Sequence, residues 1–251
     1  MAGRFEQFAA LHVPGNPVIL YNIWDPGSAA VVAEAGAKAI ATGSHPVGDA
    51  AGFGDGQQVP IEFVFDNARR IVAKVDLPLS VDFEGAYSVE PEAGAANVVA
   101  LKSTGAVGCN FEDQEIGGAG VHPLALQSRR IAAIRKAVGS DFFINARTDL
   151  YLKVKEHDAA LLNEVIERGK AFADAGASGF FVPRLSDPRQ IEKIVREVPL
   201  PLNVIAFPGS PPKRDWIGAG VARISHGPFP LKALMETFKA MAAEALAEAQ
   251  A

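Results

Sequence analysis

Three acidic residues close apolar runs in this chain. Asp82 and Glu84 flank Phe83 at the end of Leu79–Glu84, and Glu112 ends Val107–Glu112. A carboxylate in a buried strand is costly unless it is paired or binds a metal. Alternation with Phe83 predicts that Asp82 and Glu84 share one side of their strand, where Glu112 can join them from the next. Three such groups repel one another. An Mg²⁺ that keeps several waters would relieve the repulsion with few direct protein ligands. The competing reading is a structural network in which these carboxylates pair with Arg147 and Arg184.

Arg147 follows the apolar run that begins at Phe142. Its planar fork suits a bidentate grip on a substrate carboxylate. It equally suits a salt bridge to Glu112, and the two roles are compatible. No lysine ends a strand, which disfavours Schiff-base chemistry. Cys109 lies mid-strand and is expected in the core rather than as a nucleophile. His12 and His157 read as surface residues. His45, His122 and His226 fall on the functional side, none with a second histidine at metal-ligand spacing. Two segments are rich in glycine, 48–56 and 114–122. The second is long for a connecting loop and reads as a lid over the site.

These residues need a frame that brings strand ends together. Eight β-rich runs are evident: Val18–Trp24, Ala39–Gly43, Leu79–Glu84, Val107–Glu112, Phe142–Arg147, Gly179–Pro183, Leu202–Ala206 and Ala222–Ser225. Most are nearly continuous apolar runs, the mark of parallel strands buried on both faces. Amphipathic stretches alternate with them: 27–34, 61–74, 91–103, 124–137, 158–175, 188–197, 213–218 and 231–249. A small-Gly-small echo recurs at Gly36, Gly105, Gly176 and Gly220, each where a helix hands over to a strand and a left-handed cap is wanted. The pattern closes most simply into a single-domain (β/α)8 TIM-type barrel spanning 1–251, with active-site residues at the C-terminal strand ends. An open doubly wound sheet is the weaker alternative, because no Gly-rich nucleotide fingerprint follows the first strand.

Composition narrows the function. The chain has 251 residues, 49% hydrophobic and 21% charged, as folded proteins do. A net charge of −5 with no long basic run argues against nucleic acid. One cysteine excludes an internal disulfide and a multi-cysteine zinc site. No apolar segment approaches the roughly 20 residues of a membrane span. The N-terminal stretch lacks an apolar signal-peptide core, so a cytoplasmic location is expected.

The motifs carry a resemblance. Asn22-x-Trp24-Asp25-x-x-Ser28-Ala29, Gly54-Asp55-Gly56, Val81-Asp82-Phe83-Glu84-Gly85-Ala86-Tyr87, Gly108-x-Asn110-Phe111-Glu112-Asp113, Ile144-Asn145-Ala146-Arg147-Thr148-Asp149 and Pro201-Leu202-Asn203-Val204 follow in order. Together they resemble the phosphoenolpyruvate mutase/isocitrate lyase superfamily, from Asn22 to about Gly227. The resemblance implies Mg²⁺, with Mn²⁺ as the alternative, holding a 2-oxo carboxylate or its enolate. It implies Asp82 as direct metal ligand, with Glu84, Glu112 and Asp55 holding metal-bound waters. It places Thr42, Gly43, Ser44, Asp82, Arg147 and Asn203 at the substrate, and Arg147 and Glu112 in the chemistry; His122, on the lid segment, is a candidate from this chain's own residues. It further implies a homodimer or homotetramer whose C-terminal helix, 231–249, is exchanged between subunits.

The chain also departs from that pattern. The segment Glu115-Ile116-Gly117-Gly118-Ala119-Gly120-Val121-His122 lacks the lysine and cysteine of the isocitrate and methylisocitrate lyases. Val204-Ile205-Ala206 replaces their Asn-x-Thr motif, and Pro183-Arg184 stands where the mutase has its histidine. The expected activity is an Mg²⁺-dependent lyase for a small 2-oxo or 2-hydroxy (di)carboxylate, with His122 or Glu115 as acid–base group. A phosphonomutase or C–P hydrolase, and a non-catalytic metabolite-binding barrel, are the alternatives.

Overall fold

A computed structural model describes residues 3–248. Eight strands form one parallel sheet: β1 (Val18–Leu20), β2 (Ile40–Ala41), β3 (Leu79–Asp82), β4 (Gly108–Glu112), β5 (Phe143–Arg147), β6 (Gly179–Phe181), β7 (Leu202–Ile205) and β8 (Arg223–Ser225). Each strand pairs with its sequence neighbours, and β8 returns to β1. A parallel bridge between Ile23 and Thr42 closes the remaining seam between the first two strands. The fold is the expected (β/α)8 barrel.

The helices are α1 (Arg4–Ala10), α2 (Pro26–Glu34), α3 (Ser44–Ala51), α4 (Ile61–Lys74), α5 (Pro91–Lys102), α6 (Leu124–Val138), α7 (Leu150–Lys153), α8 (Ala159–Asp174), α9 (Pro188–Glu197), α10 (Lys213–Gly218) and α11 (Phe229–Glu248). Eight match the amphipathic stretches. Of the stretch 231–249, residue 249 lies outside the described residues. The other three, α1, α3 and α7, have no counterpart among those stretches; α3 carries Pro46 and Gly48, poor helix formers, and covers 48–51 of the segment read as a glycine-rich loop. Asp158 and Asp187 cap α8 and α9 through the amides of Leu161 and Arg189. Gly36, Gly105, Gly176 and Gly220 all adopt left-handed φ, from 90° to 96°, so the repeated glycine does serve the helix-to-strand turn.

Two apolar clusters hold the molecule. The larger fills the space between strands and helices, and Cys109 is buried in it. The smaller lies inside the barrel at its N-terminal end, where Val18, Leu20, Ala39, Ala41 and Phe143 receive Phe8 from α1. Burying a phenylalanine there contributes about 1.5–3 kcal/mol. His12 follows α1 into the same plug. It is 8% exposed, stacks on Phe143 at 4.2 Å between ring centroids, and bonds the Phe8 carbonyl through Nδ1. The surface reading of His12 is therefore wrong: its ring packs as an aromatic, a role that its neighbours in sequence do not signal.

Candidate active site

The strands stop earlier than the apolar runs do, and the site is built from the irregular backbone that follows. β3 ends at Asp82, and Glu84 takes a left-handed φ of 49°. Simple alternation across Phe83 is thus broken. Ala86 and Tyr87 are left-handed as well, at 56° and 57°. Non-glycine residues in this region cost energy and persist only when the surroundings enforce them. Buried Arg130 does so from α6, donating through Nη2 to the carbonyls of Gly85 at 2.7 Å and Ser88 at 2.9 Å. Tyr87 donates its hydroxyl to Val59 O at 2.8 Å, and Asn97 donates to Ala86 O at 2.9 Å.

Asp82 faces a cavity of about 550 Å³ at the C-terminal mouth of the barrel. Its Oδ2 accepts from the Ser44 amide at 2.9 Å and the Ser44 hydroxyl at 3.0 Å, and its Oδ1 accepts from Asn110 Nδ2 at 3.2 Å. Thr42 Oγ1 accepts from the Asp82 amide at 3.0 Å. Gly43 and Ser44 line the cavity and open α3 with no side-chain cap. Asp55 lines it too, 3.3 Å from Ser44 Oγ. Glu84 sits just behind Asp82, buried, with Oε2 accepting from the Gln57 amide at 2.7 Å. Burial, then Asp82 and Asp55, push its carboxyl up to about 7.

Arg147 lines the cavity from β5. It meets Glu112 Oε2 through Nη1 at 2.9 Å, and Asp149 through Nε at 2.6 Å and Nη2 at 2.9 Å. Burial works against its charge, but Asp149 and Glu112 outweigh it and raise its pKa. Glu112 is 3% exposed, and burial raises its carboxyl well above the usual range despite Arg147. Arg184 takes no part in that network. It lines the far side of the cavity at a left-handed φ of 66°, beside Phe181, Pro183, Ile205 and Phe207.

Of the sequence-predicted residues, Thr42, Glu84 and Glu112 lie behind the cavity wall in contact with it or with Gln57, and two others stand further apart. Asn203 is fully buried inside the barrel, bonded to Asn145 and Ser225. His122 is buried at the base of the segment 114–122 and lines a separate cleft with Gln57, Tyr87, Glu115 and Arg130. Its carbonyl accepts from Arg168, which also bonds buried Asp113. Burial and Arg130 lower the pKa of its ring. Sequence reasoning missed Asn110 and Arg130 as site-forming residues. Asn110 sits in the middle of a β4 run that otherwise reads as core. Among the motif residues, Asp25 and Ser28 form a reciprocal helix cap, at 2.7 Å from the Ser28 amide to Asp25 Oδ1. Asn22 staples the barrel mouth, accepting from the amides of His226 and Gly227 and donating to Thr42 O.

Around Asp82 stand the carboxylate of Asp55 and the hydroxyl of Ser44, hard oxygens of the kind that Mg²⁺ prefers, with His45 beside Asp55 on the cavity wall. Among the described residues, no three His, Cys, Asp or Glu side chains converge closely enough to ligate one ion directly. One direct carboxylate fits Mg²⁺, which keeps much of its hydration. Burial raises the Glu84 carboxyl first, and the nearby Asp82 and Asp55 add a repulsion that a divalent cation would offset.

The fold and this cavity define a class, a (β/α)8 barrel with a polar cavity at its C-terminal strand ends. The profile of the phosphoenolpyruvate phosphomutase family matches residues 8–246. The chain belongs to the phosphoenolpyruvate mutase/isocitrate lyase superfamily. It is 36% identical over 226 residues to an uncharacterized protein of Mycobacterium tuberculosis, covering 90% of this chain and 83% of that one. It is 32% identical over 187 residues to probable 2-methylisocitrate lyase 2 of Corynebacterium glutamicum, covering 71% of this chain and 59% of that one. The crystal structure of a candidate phosphonomutase from Burkholderia cenocepacia J2315 superposes with a TM-score of 0.93 at 42% identity, covering 96% and 99% of the two chains.

Proposed function

We propose that the protein is an Mg²⁺-dependent lyase that cleaves a C–C bond in a small 2-oxo or 2-hydroxy (di)carboxylate by way of an enolate. The observation that carries this reading is the sharing of one cavity by Asp82 and Arg147, with Ser44 and Asn110 in the same lining. Asp82 would hold the metal directly, and Glu84, Glu112 and Asp55 would hold its waters. Mn²⁺ offers the same chemistry. Bound there, the ion supplies Lewis acidity at the substrate oxygens.

The residues of the chain do the rest. Gly43 and Ser44, which line the cavity beside Asp82, would meet the substrate carboxylate. Arg147, held in place by Glu112 and Asp149, presents a fixed positive charge to the enolate oxygen as it develops. When the C–C bond breaks, its electron pair passes to the enolate and a proton must reach the enolate carbon. Glu115 and His122 lie on the segment 114–122, and closure of that segment would bring an acid to the cavity. The candidate phosphonomutase and the probable methylisocitrate lyase among the relatives support the shared enolate core.

Arg184 favours a second reading. A guanidinium lining the far wall suits a second anionic group, such as a phosphonate. That group would make the reaction a C–P one. We further propose that the protein is a homo-oligomer. α11 shows Leu234, Met235, Phe238, Met241 and Leu246 at 51–66% exposure, an apolar face with no cover of its own. A second copy of the chain is the occupant the superfamily resemblance implies.

Product analysis by proton and phosphorus NMR, with Mg²⁺ and oxaloacetate, methylisocitrate, dimethylmalate or phosphonopyruvate, tests the assignment. Turnover of a C–C substrate that stops on chelation supports the lyase. Turnover of phosphonopyruvate alone transfers the protein to the second reading. No turnover of any, with Mg²⁺ and oxalate still binding, contradicts both and leaves a binding barrel.

A further inference from the structure

A charged residue lies inside the barrel, beneath the cavity, where apolar side chains usually pack. Arg223 of β8 is fully buried, and among the described residues no carboxylate stands within ion-pair distance of it. Its Nη2 donates to Asn110 Oδ1 at 3.1 Å, its Nε lies 3.5 Å from Ser225 Oγ, and its Nη1 has no partner. Asn145 Nδ2 donates to the same Asn110 oxygen at 2.8 Å and to Asn203 Oδ1 at 3.0 Å. Asn203 in turn donates to Ser225 Oγ at 3.1 Å.

Two donors meeting on Asn110 Oδ1 decide which way that amide faces. Its Nδ2 must turn upward, and there it donates to Asp82 Oδ1 at 3.2 Å. A hydrogen-bonded chain thus runs from Arg223 through Asn110 to the carboxylate at the centre of the site. A buried cation without a carboxylate is expensive, and an apolar side chain of the same volume would fill the space more cheaply. Packing alone therefore does not account for an arginine here. Burial pulls its guanidinium down to about 9, and Asp82 is the leading group that opposes this.

We infer that Arg223 is a positioning residue of the active site: it fixes the Asn110 amide against Asp82 and sets an uncompensated positive charge beneath the anionic oxygens of the substrate. The inference rests on the reading of this cavity as an Mg²⁺ and oxo-acid site. Such a charge is in place before the ligand arrives and lies in a water-poor interior, where it acts at its strongest.

The test uses the full chain, with oxalate as the probe, since it is a two-carbon dianion with the oxygen pattern of an enolate. Oxalate affinity at saturating Mg²⁺ is measured by calorimetry, and metal-free melting temperature is measured beside it. Arg223→Met should melt at or above the wild-type temperature and bind oxalate about tenfold or more weakly. Arg223→Lys, which keeps the charge, should recover most of the affinity. Should the methionine variant fail to fold, Arg223→Gln keeps a donor for Asn110 without the charge and carries the same expected loss. Unchanged oxalate affinity in the Met or Gln variant overturns the inference, as does a lower melting temperature with affinity intact. A wild-type protein that binds no Mg²⁺–oxalate overturns the reading of the cavity itself, and the inference with it.

Discussion

Glu112 of β4 and Arg147 of β5 are register partners, and their side chains meet at 2.9 Å inside the barrel mouth. Asp149 takes the same guanidinium from the other side with both of its oxygens. The arginine is therefore oriented before any ligand binds. Arg147→Lys keeps the charge but cannot serve two carboxylates and a ligand at once. Its kcat/KM should fall about 100-fold or more, as expected when a bidentate contact at the reacting oxygens is lost. Arg147→Ala strands two buried carboxylates and should lose about 3–5 kcal/mol in urea unfolding. A lysine variant with wild-type kcat/KM would contradict this role.

Glu84 links the site to pH. Its carboxyl lies at about 7 in the fold against 4.5 as the ordinary value, first through burial and then through Asp82 and Asp55. The folded state thus holds this proton more tightly than the unfolded state. Metal-free stability from this group is present at low pH and is lost as pH rises from about 4.5 through about 7, by roughly 3 kcal/mol at most. The difference in melting temperature between wild type and Glu84→Gln, followed from pH 5 to pH 8 without metal, should grow in favour of the variant. Mg²⁺ should shrink it. A difference that stays flat with pH would remove Glu84 from the carboxylate cluster.

His12 has the opposite sign. Burial, then Arg223, lower its ring to about 3 from 6.5, so it is neutral in the fold. Stability is lost as pH falls below about 6.5, at about 1.4 kcal/mol per unit, because the unfolded chain gains a proton the folded one refuses. His12→Phe should keep the stack on Phe143 and resist acid better than wild type in melts between pH 4 and pH 7. Parallel acid curves for the two proteins would show that the ring is not held neutral.

The barrel was legible in the sequence because parallel strands buried on both faces read as apolar runs, and because the glycine that ends each second helix must turn left-handed. Residues 61–74, 188–197 and 213–218 form helices with the expected bounds, the first marked by its apolar spacing after Pro60 and the second by an aspartate start. The carboxylates and Arg147 stood out because charge ends an apolar run there. What the sequence hid were side chains whose roles depend on distant contacts. His12 looks like a loop residue until α1 plugs the barrel. Arg130 reads as a helix surface charge, yet it pins the left-handed backbone after Asp82. Asn110 and Arg223 lie within strands, and only the closed barrel brings them together.

The C-terminal helix offers a separate test. α11 leaves Phe238 and Met241 each 63% exposed, part of an apolar face of the kind that marks an interaction surface. Removal of residues 229–251 should abolish the folded oligomer in sedimentation velocity. A truncated chain that stays folded and monomeric would contradict the exchange of this helix between subunits.

The central claim is that Asp82 exists to hold a metal. Its partners are the Ser44 amide and hydroxyl and the Asn110 amide, and among the described residues it makes no ion pair. Asp82→Asn keeps the shape and removes the hard anionic oxygen that Mg²⁺ prefers. Calorimetric titration of this variant with Mg²⁺, alongside wild type, is the most direct measurement. The account predicts clear binding by wild type and at least about tenfold weaker binding by the variant, with a metal-free melting temperature that holds or rises. Mg²⁺ binding left intact in Asp82→Asn, together with a large drop in melting temperature, would contradict it.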